Sequence, residues 1–166
     1  MKNKYRAIII EDERLARQDL KSLLKDTGQV EVVGEAADLK TAVNLVKKYS
    51  PDIIFLDIQL TGESGFDLFE KTEVEGQVIF VTAFDEYAIR AFEVNALDYL
   101  LKPVNPERLE QALERMAQSD KVIGTGQRPL EYHDRLFLTI NSAVRFLKIN
   151  QIISINAAGD YSEVLI

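Results

Sequence analysis

The sequence predicts an α/β fold: a doubly wound, five-stranded parallel sheet followed by a short all-β segment. Three observations carry that reading. Over residues 1–117, short runs rich in Ile, Val, Leu and Phe alternate with stretches of helical periodicity, the pattern of successive βαβ units. Those runs are continuously apolar instead of alternating, as expected of strands covered on both faces. Beyond residue 134 the helical pattern stops and only strand-like segments follow.

The expected strands cover about residues 5–10, 30–36, 53–57, 78–82 and 99–101. Between the first two, Leu15, Leu20, Leu23 and Leu24 form the apolar stripe of a first helix that stops near Gly28. A second helix begins at Asp38, a good N-cap, buries Ala42, Leu45 and Val46, and ends at Ser50-Pro51. A short third helix follows Ser64-Gly65, with Phe66 and Phe69 facing inward, and a fourth runs from about Asp85 to Asn95. The fifth starts at Asn105 as cap and Pro106 in the first turn, with Leu109, Ala112, Leu113 and Met116 at core spacing. Residues 1–117 thus form one domain. Residues 118–134, with Gly124-Thr125-Gly126 and Pro129, read as a linker. Leu136–Ile140 and Val144–Ile149 then form a hairpin around Asn141-Ser142, and Ile152–Asn156 and Tyr161–Ile166 flank Ala158-Gly159-Asp160. Residues 135–166 hold too few strands for independent stability, so they read as the opening of an incomplete second domain. Their exposed edges predict pairing with another copy, or aggregation.

Composition narrows the function. With no cysteine there is no disulfide framework and no thiol chemistry, which fits a reducing cytoplasm. No apolar run approaches the roughly 18 to 20 residues that span a bilayer, so no membrane association is expected. Residues 1–121 carry 16 Lys/Arg against 23 Asp/Glu, and residues 122–166 carry 4 against 4. The acidic front half argues against nucleic-acid contact there, and the neutral tail has no basic footprint.

Four apolar runs close on polar residues: Ala7–Ile10 on Glu11-Asp12, Ile53–Leu56 on Asp57, Val78–Val81 on Thr82, and Tyr99–Leu101 on Lys102-Pro103. In a parallel α/β sheet ligands bind outside the carboxyl ends of the strands, so these side chains are expected to meet. Asp57 is the candidate nucleophile, since a carboxylate attacking a phosphoryl donor gives an acyl phosphate. Three carboxylates beside a phosphoryl group require a cation, and Mg²⁺ suits oxygen donors. Asp12 and Asp57 would ligate it, Glu11 through water, together with the backbone carbonyl of Gln59. Lys102 supplies positive charge to the phosphoryl oxygens and Thr82 a hydrogen bond. Any one of these residues alone has an ordinary reading as a cap or surface side chain; the constellation carries the claim.

On those residues, residues 5–117 resemble the receiver domain of bacterial two-component response regulators. The segment Asp85–Phe92 through Asn95–Pro103 resembles receivers that precede LytTR-type DNA-binding domains, and Ile152–Tyr161 looks like the opening strands of such a domain. The resemblance implies a flavodoxin-like strand order 2-1-3-4-5 and a sensor histidine kinase that phosphorylates Asp57. It implies a cis peptide before Pro103. It also implies a switch in which Thr82 moves to the phosphoryl group and Tyr99 turns inward. The face of the fourth helix, fifth strand and fifth helix would then repack and form a homodimer. DNA would be bound by the complete output domain, and weakly or not at all by this chain, whose Ala158–Ser162 loop has no Lys or Arg. Such a protein is not an enzyme beyond phosphorylating and dephosphorylating its own aspartate.

Three departures from the family pattern stand out. Glu11 replaces a common aspartate. Thr61 stands where many members have proline, which predicts a looser loop. Gln59 and Phe84 border the expected path of hydrolytic water, and Phe84 is expected to shield the acyl phosphate. Other readings fare worse. A haloacid-dehalogenase-type enzyme needs a second Asp where Gln59 stands, and no glycine-rich phosphate loop is present. The lone His133 reads as a surface residue. A stand-alone receiver acting by protein–protein contact is the remaining alternative for the output.

Overall fold

The computed structural model describes residues 4–122, 135–140, 143–148, 154–158 and 161–165. The strands β1 (Tyr5–Ile10), β2 (Val30–Ala36), β3 (Ile53–Leu56), β4 (Gln77–Thr82) and β5 (Asp98–Leu101) form one parallel sheet in the order β2-β1-β3-β4-β5. That is the doubly wound architecture expected from the sequence. Its core explains the unbroken apolar runs. Ile8, Ile10, Ile54, Leu56, Val78 and Phe80 point to one side of the sheet, while Ala7, Ile9, Ile53, Phe55, Ile79 and Val81 point to the other. Both faces are covered, so both phases of each strand must be apolar.

One face is covered by α2 (Leu39–Tyr49), α3 (Leu68–Lys71) and α4 (Ala88–Glu93), the other by α1 (Arg14–Thr27) and α5 (Pro106–Val122). Local chemistry sets their ends. Gly28 closes α1 at φ 67, a conformation that only glycine adopts cheaply. The Asp38 carboxylate accepts the Thr41 amide at 2.8 Å and starts α2. Asn105 Oδ1 accepts the amides of Glu107 and Arg108 at 2.9 and 3.3 Å and starts α5.

Several boundaries differ from the sequence expectation. Leu15 is 66% exposed and leaves the α1 stripe, because it lies half a turn away from Leu24 on a 3.6-residue helix. The fourth helix is shorter than Asp85–Asn95: the Asp85 carbonyl makes a turn with the Ala88 amide, Tyr87 gives no side-chain cap, and Asn95 turns left-handed at φ 58. The third helix opens as a 3₁₀ turn, Gly65–Asp67, capped reciprocally by Ser64 and Asp67. It buries Phe66 and Leu68, with Phe69 partly buried. Helix α5 continues through Val122, so residues 118–122 of the expected linker are helical. Residues 123–134, with His133, lie outside the described residues.

The chain divides into two compact units, Met1–Lys121 and Val122–Ile166. In the second, β6 (Arg135–Ile140) pairs antiparallel with β7 (Ala143–Lys148), and β8 (Ser154–Ala158) with β9 (Tyr161–Leu165). Strand β8 includes Ala157 and Ala158, beyond the expected end at Asn156, and Ala158 pairs with Tyr161. Among the described residues no helix is long and apolar enough to cross a membrane.

Candidate functional site

Parallel register brings the strand-end side chains together. Ile10 is opposite Leu56, so the next residues, Glu11 and Asp57, emerge side by side at the carboxyl edge of the sheet. The Asp57 amide donates to the Ile10 carbonyl and the Glu11 amide to the Ala36 carbonyl, both at 2.9 Å, fixing the two backbones just past the strands. Thr82 is opposite Leu101, and the Lys102 amide donates to the Thr82 carbonyl at 2.9 Å. The Lys102-Pro103 peptide is cis.

The side chains complete the cluster. Lys102 Nζ lies 2.7 Å from Asp57 Oδ2 and 2.5 Å from Glu11 Oε2. Glu11, Asp12 and Asp57 each present a carboxylate oxygen within 4.8 Å of the other two. Asp57 Oδ1 accepts the Gln59 amide at 3.2 Å, and Glu11 Oε1 accepts the Glu13 amide at 3.0 Å. Glu11 and Asp57 are buried, with Asp12 half-buried. The donor set fits a hard divalent cation: the oxygens are carboxylate, they converge, and one ammonium cannot neutralise three carboxylates.

The environment tunes these groups differently. Burial pushes the Glu11 carboxyl above its ordinary value, against the opposing hydrogen bond from Lys102. At Asp12 burial also pushes upward, but hydrogen bonds from Thr61 outweigh it and the carboxyl sits below its ordinary value. At Lys102 burial would lower the ammonium, yet the bonds to Asp57 and Glu11 prevail and raise it.

Thr82 and Tyr99 both bond to Phe84. The Thr82 side chain is fully buried and its hydroxyl accepts the Phe84 amide at 3.4 Å. The Tyr99 ring packs against Phe80 with centroids 6.4 Å apart, and its hydroxyl donates to the Phe84 carbonyl. Burial pushes the Tyr99 phenol up to about 12. Phe84 is 38% exposed and stacks edge-on against Tyr87 at 6.3 Å. The exposed residue Gln59 lies in a short hairpin, Gln59–Leu60 paired with Glu63–Ser64.

That hairpin corrects one expectation. Thr61 does not slacken the loop: its amide and hydroxyl both donate to Asp12 Oδ2, at 2.9 and 2.5 Å, where proline would have neither donor. Glu63 also accepts the Leu39 amide at 3.1 Å, tying the hairpin to the start of α2. Sequence reasoning missed three supports. Thr61 is one. Arg17 donates to the Glu11 carbonyl at 2.6 Å. Gly65 lies so near that a Cβ there would stand 2.1 Å from the Asp57 carbonyl oxygen. Only Gly65 carried a signal, a glycine at a helix start just beyond the acid.

The family described as the response regulator receiver domain matches residues 7–114. The chain belongs to that family. Its similarity to the transcriptional regulatory protein BtsR of Salmonella typhi is 39% identity over 154 residues, 86% of this chain and 64% of the relative. The sensory transduction protein LytT of Bacillus subtilis is 36% identical over 152 residues, covering 89% of this chain and 63% of that protein. Among solved structures, the response regulatory domain of mrkE from Klebsiella pneumoniae superposes with a TM-score of 0.63 at 33% identity. It covers 70% of this chain and 98% of its own. The chain spans 46% to 64% of the length of these curated relatives, and the alignments with BtsR and LytT exceed the receiver.

Proposed function

We propose that this chain accepts a phosphoryl group on Asp57 from a sensor histidine kinase and passes the signal to a LytTR-type transcriptional output. The observation that carries the reading is the convergence of Glu11, Asp12, Asp57 and Lys102 on one point at the carboxyl edge of the sheet. Membership of the receiver family supports it.

The chemistry follows from the contacts. An Asp57 carboxylate oxygen attacks the phosphorus of the donor; the new O–P bond forms as the bond to the departing kinase nitrogen breaks, and that nitrogen keeps the electron pair. The Gln59 amide holds Oδ1 and the Lys102 ammonium holds Oδ2, so the nucleophile is oriented beforehand. Lys102 then offers positive charge to the phosphoryl oxygens. A bound Mg²⁺, held by Asp12, Asp57, the Gln59 carbonyl and, through water, Glu11, would neutralise those oxygens further. Thr82 exchanges its bond to the Phe84 amide for one to a phosphoryl oxygen. Because the Tyr99 hydroxyl also rests on Phe84, the exchange couples Thr82 to the position of Tyr99, the second residue of the switch. The face of α4, β5 and α5 then favours a homodimer, a population shift driven by preferential binding of the phosphoryl group to one arrangement. Residues 1–117 form the receiver, 118–134 a connection, and 135–166 the first strands of the DNA-binding domain. Similarity to BtsR and LytT that extends past the receiver supports this output.

The test is intact mass after incubation with Mg²⁺ and a small acyl-phosphate donor, with Asp57→Asn in parallel. A Mg²⁺-dependent gain of one phosphoryl group, absent in the variant, is expected. An equal gain in Asp57→Asn, or none in either protein, overturns the reading.

A further inference from the structure

We infer that Thr61 is a positioning residue for Asp12, fixing the carboxylate so that it meets a divalent cation through its other oxygen. The inference rests on the cation site proposed above. Two donors from one residue converge on Asp12 Oδ2, the Thr61 amide at 2.9 Å and the Thr61 hydroxyl at 2.5 Å. The residues are 49 positions apart, so no local turn creates this contact. Thr61 itself is exposed, and burial does not dictate its hydroxyl.

The loop geometry makes the choice of residue meaningful. Gln59 pairs with Ser64 and Leu60 with Glu63, leaving Thr61 and Gly62 as the two loop residues. Gly62 has φ 76, the positive angle a type II turn requires at its second central position. The first central position has no such demand, and proline is favoured there. Proline would satisfy the turn but give Asp12 no donor, having neither N–H nor hydroxyl. Threonine keeps the turn and adds a two-point clamp.

The clamp has a firm base. Glu63 accepts the Leu39 amide at 3.1 Å, and the Gly65 amide donates to the Ile58 carbonyl at 2.7 Å. The hairpin is thus held to α2 on one side and to the residue after Asp57 on the other. A carboxylate held through one oxygen by such a base keeps its orientation before the cation arrives. Groups that orient metal ligands in this way typically contribute about 10- to 100-fold to metal affinity.

Calorimetric Mg²⁺ titration of the full chain tests this with Thr61→Val, Thr61→Ser, Thr61→Pro and Asp12→Asn, each first checked for an unchanged helical signal without Mg²⁺. Thr61→Val keeps the shape and the amide but loses the hydroxyl, and its Kd is expected to rise about tenfold, the low end of that range because the clamp is exposed. Thr61→Ser should bind like the unaltered chain, and Thr61→Pro should bind more weakly than Thr61→Val. In the Asp12→Asn background, adding Thr61→Val should change the Kd little. Unchanged binding in Thr61→Val overturns the role of Thr61 and leaves the cation site standing. Tighter binding also overturns it, and means that the hydroxyl competes with the cation. No Mg²⁺ binding by the unaltered chain overturns the cation site and this inference with it.

Discussion

Replacing Lys102 by Met keeps much of the side chain's length and removes its charge. The ammonium is 2.5 Å from Glu11 and 2.7 Å from Asp57, whose side chains are only 5% and 7% exposed. Without it, carboxylates up to 4.8 Å apart face each other in a largely buried site. At an effective dielectric of about 20, that separation corresponds to a repulsion of about 3.5 kcal/mol. Removing one partner of a buried pair typically costs about 3–5 kcal/mol. The Lys102 side chain is 22% exposed, so water reaches the site and a lower figure applies. The expected loss is about 2–3 kcal/mol, which lowers the unfolding midpoint of a unit this size by about 6–15 °C.

The pH dependence gives this prediction its sign. Burial already holds the Glu11 carboxyl above 4.5, and loss of the ammonium raises it further. A raised carboxyl favours the folded state while protonated and loses that contribution as pH rises through its folded value. The Lys102→Met deficit is therefore full at pH 7 and shrinks as pH falls toward about 4. Circular dichroism at the helical band reports the receiver, because every described helix lies within residues 14–122. Added Mg²⁺ should narrow the gap at pH 7. Equal midpoints at pH 7, or a deficit of the same size at pH 4, would refute the electrostatic argument.

Three further outcomes follow from the same contacts. Gly65→Ala forces a Cβ to 2.1 Å from the Asp57 carbonyl oxygen, and since backbone cannot yield cheaply, denaturant titration should show a loss of about 3 kcal/mol or more. The Tyr99 phenol, raised by burial from 10.0 to about 12, contributes stability that is full below 10 and fades as pH rises toward its folded value. Tyr99→Phe should thus flatten stability over that interval and remove a component near pH 12 from the ultraviolet titration; an unchanged titration curve would count against the assignment. Phe84→Ala removes a half-exposed ring beside the site, and its acyl phosphate should hydrolyse faster by mass spectrometry; equal lifetimes would exclude a shielding role for Phe84.

What the sequence revealed depended on whether a feature repeats along the chain or joins distant parts of it. Continuous runs such as Ala7–Ile10 and Ile53–Leu56 signal strands buried on both faces, and parallel register then sets their terminal acids side by side. Glu11, Asp12, Asp57 and Lys102 were legible for that reason. Leu15 is apolar and lies beside the stripe in sequence, but at nine residues from Leu24 it faces the opposite way. The true length of α4 was hidden because its start is a turn from Asp85 and its end a left-handed Asn95, neither marked by a capping side chain. The Thr61–Asp12 clamp joins a loop tip to a strand end, and no spacing rule connects such positions. Family expectation even pointed the wrong way there, since the missing proline suggested slack.

The most direct test of the account is the position of the phosphoryl group. After Mg²⁺-dependent phosphorylation, borohydride reduces an acyl phosphate to the alcohol, turning the modified aspartate into homoserine, which peptide mass mapping locates. Homoserine is expected at position 57 and nowhere else. Reduction products at position 11 or 12, or phosphorylated chain with an unmodified Asp57, would contradict it.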